Sequence, residues 1–355
     1  MSVLSEPVVS STTLDPGPST QPQSSGGPKP AADPRRKALL RFAISISVLT
    51  IVGQALLGFE PAPMVPIVAV LLSYTVALAL ETVDAWAHGR RPEYAGSRAD
   101  LAYFLMPPHI AALACSMLLY ADHTRPYLLA VVVASASKYV ARLRVGGRLR
   151  HFLNPSNFGI AATLLVMPSV GFVPPYQFLN NTDQPIDVLI PLGVLMAGTM
   201  LNGKLTRRMP LIMAWVGGYV LQALLRAWWF GDNVWAPLGT MTGVAFILFT
   251  NYMITDPATT PSRWSRQVFF GLGAAAIYGV LIVAQVSYAI FFCLILTCAL
   301  RGLGIWVSER RRRGATASSA AASPDAGAPP DAGAPPDAAS SPEVEPTLPE
   351  QTRVA

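Results

Sequence analysis

The chain has 355 residues, 52% of them hydrophobic and 13% charged, with 26 Lys and Arg against 20 Asp and Glu. An ordinary soluble domain carries about 25% charged residues, so this composition argues against one. The basic balance, with a pI near 9.4, is concentrated beside apolar stretches, which favours anionic headgroups over nucleic acid as the partner.

In chain order, residues 1–34 are rich in Ser, Pro, Thr and Gly and cannot bury enough surface to order, so a disordered tail is expected. They do not read as a signal peptide, because the apolar run begins late and leads into a full-length span. Residues 35–309 then hold about ten apolar stretches, the signature of an all-α, polytopic membrane protein. The expected spans are 39–59, 63–83, 101–120, 126–141 and 156–173 in the first half. In the second half they are 188–201, 210–229, 237–254, 267–286 and 288–307. The sixth is short, contains Gly193 and Gly198 and follows Pro185, so on length alone it could be re-entrant. Without a crossing there, however, Lys204, Arg207 and Arg208 would share a side with the loop Tyr176–Asp187, which has no basic residue. From residue 310 a basic stop, Arg310 to Arg313, precedes a tail to 355 that repeats Pro-Asp-Ala-Gly-Ala-Pro at 324–329 and 330–335 and reads as a flexible linker.

With these spans, 22 Lys and Arg fall on one side, while the other holds only Arg125 and Arg226. Cytoplasmic loops retain basic residues, so both termini are expected in the cytoplasm of a multi-pass protein of the cell's inner, or plasma, membrane. The three cysteines, Cys115, Cys293 and Cys298, all lie within apolar stretches and make neither a metal-binding spacing nor a disulfide framework.

Charges within spans mark ion pathways, and they are scarce here. Glu81 and Asp84 end the second span, and Lys138 and Arg142 end the fourth. His109 is deeper and follows Pro107-Pro108, which should break or kink the third helix. A histidine there either bonds a carbonyl that the prolines free or relays protons.

Two polar segments interrupt helices at the basic boundary. The first, His151-Phe-Leu-Asn154-Pro155-Ser-Asn157-Phe-Gly159, enters the fifth span, with Asn154 suited to an N-cap and Pro155 to the first turn. The second, Thr250 to Pro261, leaves the eighth span through Thr255-Asp256-Pro257. Either is explained alone by a helix start or an Asp-Pro stop. Together they suggest one site at the cytoplasmic face, with Arg150 and Arg263 the cations that Asp256 would orient.

At these residues the chain resembles the RnfD/NqrB family, the flavin-bearing membrane subunits of ion-pumping redox complexes. The likeness rests on Asn-Pro-x-x-x-Gly at 154–159, Thr-Asp-Pro at 255–257, and their order among about ten spans. The nearer subgroup is the RnfD-like proteins encoded beside natural-product pathways such as those of enediynes. The resemblance implies flavin-linked electron transfer, coupled transport and partner subunits of a membrane redox complex. It also implies a cofactor site at Arg150, Asn154, Pro155, Asn157, Gly159, Thr255, Asp256 and Arg263. The family attaches FMN covalently at a Ser/Thr-Gly-Ala-Thr motif. Here the only Gly-Ala-Thr is Gly314-Ala315-Thr316, preceded by Arg313, and neither Asn180–Asp183 nor Ala197-Gly198-Thr199 supplies the motif. Covalent FMN is therefore not expected, and non-covalent FMN or riboflavin is the cofactor left open. Two other functions stay open: a small-molecule transporter or exporter of a biosynthetic cluster, and an assembly scaffold without cofactor.

Overall fold

The computed structural model describes residues 34–145, 148–173 and 185–321. Residues 1–33 and 322–355 of the two expected tails lie outside the described residues, as do Asn180 to Asp183. The chain divides into two units, Met1–Leu303 and Gly304–Ala355.

In the first unit, helices α1 (Pro34–Ala55), α2 (Met64–Ala87) and α3 (Arg98–Leu118) are followed by the two-residue strand β1 (Leu119–Tyr120) and α4 (Arg125–Val140). A hairpin of β2 (Arg142–Val145) and β3 (Arg148–His151) leads into α5 (Pro155–Val166) and β4 (Gly171–Phe172). After α6 (Ile186–Leu201) and α7 (Met209–Phe230) come two short helices, α8 (Trp235–Thr240) and α9 (Val244–Leu248). The long helices α10 (Trp264–Val283) and α11 (Ala289–Ala321) close the order. Six of these helices, α1, α2, α3, α7, α10 and α11, are long and apolar enough to cross a membrane. The protein is a helical membrane protein.

Beside the helices lie only two short ribbons among the described residues: β1 pairs antiparallel with β4, and β2 with β3 in the register Arg142↔His151, Leu143↔Arg150 and Arg144↔Leu149. These ribbons use backbone groups at helix ends that no helix satisfies. Of the break or kink expected at Pro107-Pro108, the break does not occur: α3 runs continuously through both prolines. Its start is fixed by a capping box between Ser97 and Asp100, and every residue from Ile110 to Leu118 is buried. Neighbouring helices thus hold what the prolines alone would disrupt. At the far end, where a disordered tail is expected from residue 314, the helix continues past Arg310–Arg313 and through Gly314-Ala315-Thr316 to Ala321. Ala and Arg are strong helix formers, so the basic run does not stop it. Within the second unit Arg310 sits over the Trp306 ring at 4.8 Å.

Two helix pairs make the core around the basic boundary, and both rely on small residues. A Cβ on Gly159 of α5 would collide with the Ala130 carbonyl of α4 and lie 2.9 Å from the Ala134 Cβ. On α10, a Cβ at Gly271 would lie 2.6 Å from the Leu211 carbonyl and 2.8 Å from the Trp215 nitrogen of α7. Close backbone approach through small residues is how helices associate where lipid removes the hydrophobic driving force.

The sixth and eighth apolar segments are completed by widened, π-type turns. Asn202–Thr206 extends α6, and Phe249–Met253 extends α9. The first ends at Arg207, a left-handed residue with φ of 53°.

Candidate functional site

Asn154 starts α5 and ties it to a distant part of the chain. Its backbone is extended, and its Oδ1 accepts the Asn157 N–H at 3.1 Å and the Ser156 hydroxyl at 2.9 Å. Its Nδ2 donates to the Met253 carbonyl at 3.0 Å. That bond spans the two polar segments and brings Asn-Pro-x-x-x-Gly beside Thr-Asp-Pro. Pro155 occupies the first turn, where its missing N–H costs nothing. Asn157 reaches another element, donating from Nδ2 to the Phe291 carbonyl of α11 at 3.0 Å, while its buried Oδ1 has no hydrogen-bond partner. Gly159 serves the contact with α4 described above.

Thr255 is buried and donates to the Asn251 carbonyl at 2.6 Å. Asp256 folds the turn that follows. Its carboxylate accepts the Ala258 N–H at 3.0 Å and the Thr259 hydroxyl at 3.1 Å, and its carbonyl accepts the Thr260 hydroxyl at 2.6 Å. The turn is then clamped by two arginines from elsewhere. Arg208, only 5% exposed, donates to the carbonyls of Pro261 and Pro257. Arg301 donates to the Thr259 carbonyl at 2.8 Å.

Arg150 and Arg263 do not fill the role expected of them. Both are exposed, and among the described residues neither forms an ion pair with Asp256. The hairpin gives the reason for Arg150: successive strand residues face opposite sides, so His151 and Arg150 cannot both turn toward the loop. Asp256 instead acts electrostatically on Lys138, His151 and Arg208, which come from the end of α4, the end of β3 and the residue before α7. Burial holds the His151 imidazole below its ordinary value; Asp256 opposes the shift, and Lys138 and Arg142 add to it. Burial likewise lowers Arg208, with Asp256 opposing and Arg301 adding. The sequence marked Lys138 as a charge ending the fourth span, His151 as the start of the first polar segment and Arg208 as a loop cation, without joining them to Asp256.

Behind this face the two π-type turns meet. Asn202 Nδ2 donates to the Asn251 carbonyl at 2.7 Å and to the Gly198 carbonyl at 2.9 Å. A Cβ at Gly198 would press on the Asn251 side chain, whose buried Oδ1 has no partner. Trp215 of α7 donates from its ring nitrogen to the Thr250 hydroxyl at 3.0 Å. π-type turns recur at functional sites because they release backbone groups from the helical ladder.

There are two further clusters, the first joined to the groups around Asp256 through Arg142 and Glu93. Glu81 takes Arg90 at 2.6 Å and the Glu93 N–H at 2.8 Å, and Asp84 takes Arg90 at 2.5 Å and Arg142 at 2.7 Å. The hydrogen bonds that Arg90 donates to these carboxylates, Glu81 first, raise it above its ordinary value. The network closes the loop after α2 against the start of the hairpin. His109 bonds neither freed carbonyl nor charge: its Nε2 lies 2.8 Å from the Ser47 hydroxyl and its Nδ1 2.9 Å from the Tyr74 hydroxyl. It joins α1, α2 and α3 beside a cavity of about 330 Å³ lined by Ala43, Ala102, Leu105 and Met106.

No family model matches the sequence, and no curated protein matches it either.

Proposed function

We propose that this chain is the integral membrane subunit of a redox complex of the RnfD/NqrB kind, crossing the plasma membrane ten times with both termini in the cytoplasm. One observation carries the reading: the Asn154 side chain bonds the Met253 carbonyl, so the two segments that resemble the family's motifs adjoin. The residues fit a non-covalent flavin, because the buried Asn157 Oδ1 lacks a donor and an isoalloxazine ring N–H is one. Such a flavin would supply one- and two-electron redox chemistry. The chain's own part is to hold the ring through Asn157, to fix Asn157 through Asn154 and the α5 start, and to keep water out with the α4–α5 contact. Electron donors and acceptors would come from partner subunits.

The absorption spectrum of the purified protein tests this. We expect a bound flavin that Asn157→Leu removes and that leaves the protein on denaturation. A protein that neither retains a flavin nor takes up added riboflavin or FMN sinks the reading. Denaturing gels viewed under ultraviolet light should show no fluorescent band even with a flavin transferase present. A band lost on changing Thr182, Thr199 or Thr316 to Ala would restore covalent attachment.

A transporter is the second reading, favoured by the paired π-type turns at Asn202 and Asn251. Interrupted helices whose freed carbonyls face the interior are a common way to hold a transported solute.

A further inference from the structure

The groups around Asp256 do not balance. Arg208 and Arg301 are permanent cations and Lys138 adds a basic amine, while the carboxylates that act on Lys138 and Arg208 are only Asp256 and Glu93. Both Asp256 carboxylate oxygens are already engaged by its own turn, and the arginines meet only neutral carbonyls there. Three donors keep spare capacity. Arg208 Nε is buried without a partner. Lys138 is half-buried, and neither its ammonium nor the His151 ring makes a hydrogen bond among the described residues. Pro257 and Ala258 of the same turn are exposed, so the cluster opens to the cytoplasmic side. Charge removed from water without a counter-charge is costly, and a bound anion relieves that cost.

We infer that Lys138, His151 and Arg208 form a binding site for a phosphate-type oxyanion, either free or carried on a phosphate monoester. A tetrahedral oxyanion matches the mixture of a point-charge ammonium, a ring N–H and a guanidinium. The site stands independently of a flavin at Asn157, because it recognises the phosphate and not the ring.

The test is the melting temperature of the full-length purified protein against increasing inorganic phosphate, in detergent and in phosphatidylcholine nanodiscs. Phosphate should raise it, and Lys138→Gln should weaken apparent affinity about tenfold or more. Lys138→Arg should keep most of the effect, and Arg144→Gln, the same charge change at an exposed position of the hairpin, should keep all of it. If Lys138→Gln does not fold, His151→Gln is read in the same way. Nanodiscs containing phosphatidic acid identify the source: stabilisation there but not by free phosphate means a lipid headgroup, the reverse a soluble ion. FMN binding more tightly than riboflavin, with the difference lost in Lys138→Gln, places a cofactor phosphate here. Equal binding of the two, with no response to phosphate or phosphatidic acid, overturns this site and leaves the flavin reading standing. Phosphate binding without any flavin does the opposite. An Arg144→Gln loss as large as that of Lys138→Gln also overturns it, by reducing the effect to diffuse surface charge.

Discussion

Asn154 does two jobs with one amide: its oxygen caps α5 and its nitrogen fixes the end of the Phe249–Met253 turn. Asn154→Ala should cost about 0.5–2 kcal/mol through the cap, and it also leaves the Met253 carbonyl with only the longer bond from the Asp256 N–H at 3.4 Å. Because Asp256 shapes the turn that this carbonyl leads into, a cycle of Asn154→Ala, Asp256→Asn and the pair should show coupling above about 0.5 kcal/mol. Unfolding free energies that simply add would make the two residues separate helix terminators. His151 supplies the pH dependence. Burial holds its imidazole below the ordinary 6.5, so in mild acid the unfolded chain binds a proton that the folded chain does not. Its contribution is complete above pH 6.5 and is lost as pH falls through the depressed folded value. Melting temperature measured from pH 8 down to about pH 5 should drop more steeply in the native protein than in His151→Gln. At this scale the cap was legible, since Asn before Pro at a helix start has one common use. The partners of Asp256 were not: strand alternation turned Arg150 away, and the two clamping arginines lie far along the chain.

The elements divide by how they use glycine. Gly159 and Gly271 lie where another helix's backbone leaves no room for a Cβ, whereas Gly217 of α7 faces open space. Gly159→Ala and Gly271→Ala should each destabilise by about 1–3 kcal/mol through overpacking. Gly217→Ala should stabilise by about 0.5–1 kcal/mol through helix propensity. Comparable losses at all three positions, read by thermal or SDS unfolding, would mean that the close contacts are not what joins these pairs. Of the ten expected spans, six coincide with helices long and apolar enough to cross a membrane. Hydropathy did not show that α4 has 16 residues and α5 only 12, or that the eighth segment is split, because these lengths follow from packing against neighbours rather than from apolar content. The prolines of α3 do not end the helix for the same reason, since burial around Ile110–Leu118 outweighs two missing backbone donors.

For the whole molecule the open question is which side each loop faces. Reporter fusions after Arg91, Arg150, Lys204 and Arg266 should report cytoplasm, and fusions near Glu60, Asp122 and Trp235 the outside. A Lys204 fusion reading outside would make α6 re-entrant and invert everything after it. The aromatic residues agree with a two-sided arrangement: Trp86 and Trp264 are 83% and 69% exposed at the basic ends of α2 and α10, and Trp228, Trp229 and Trp235 at least 72% exposed at the sparse side. Indole rings settle at headgroup depth on both faces of a bilayer. The uneven span lengths also bear on how the protein is made. Six helices are apolar and long enough to partition singly from the translocon as they emerge. The shorter α4, α5 and α6 and the split eighth segment have neighbours to shield their polar groups, α5 packing on α4 at Gly159 and the eighth segment meeting the sixth through Asn202. Insertion of the full chain is therefore expected to depend on the α4–α5 and α6–α9 contacts, so Gly159→Leu should reduce the membrane-inserted fraction in a glycosylation or protease-protection assay.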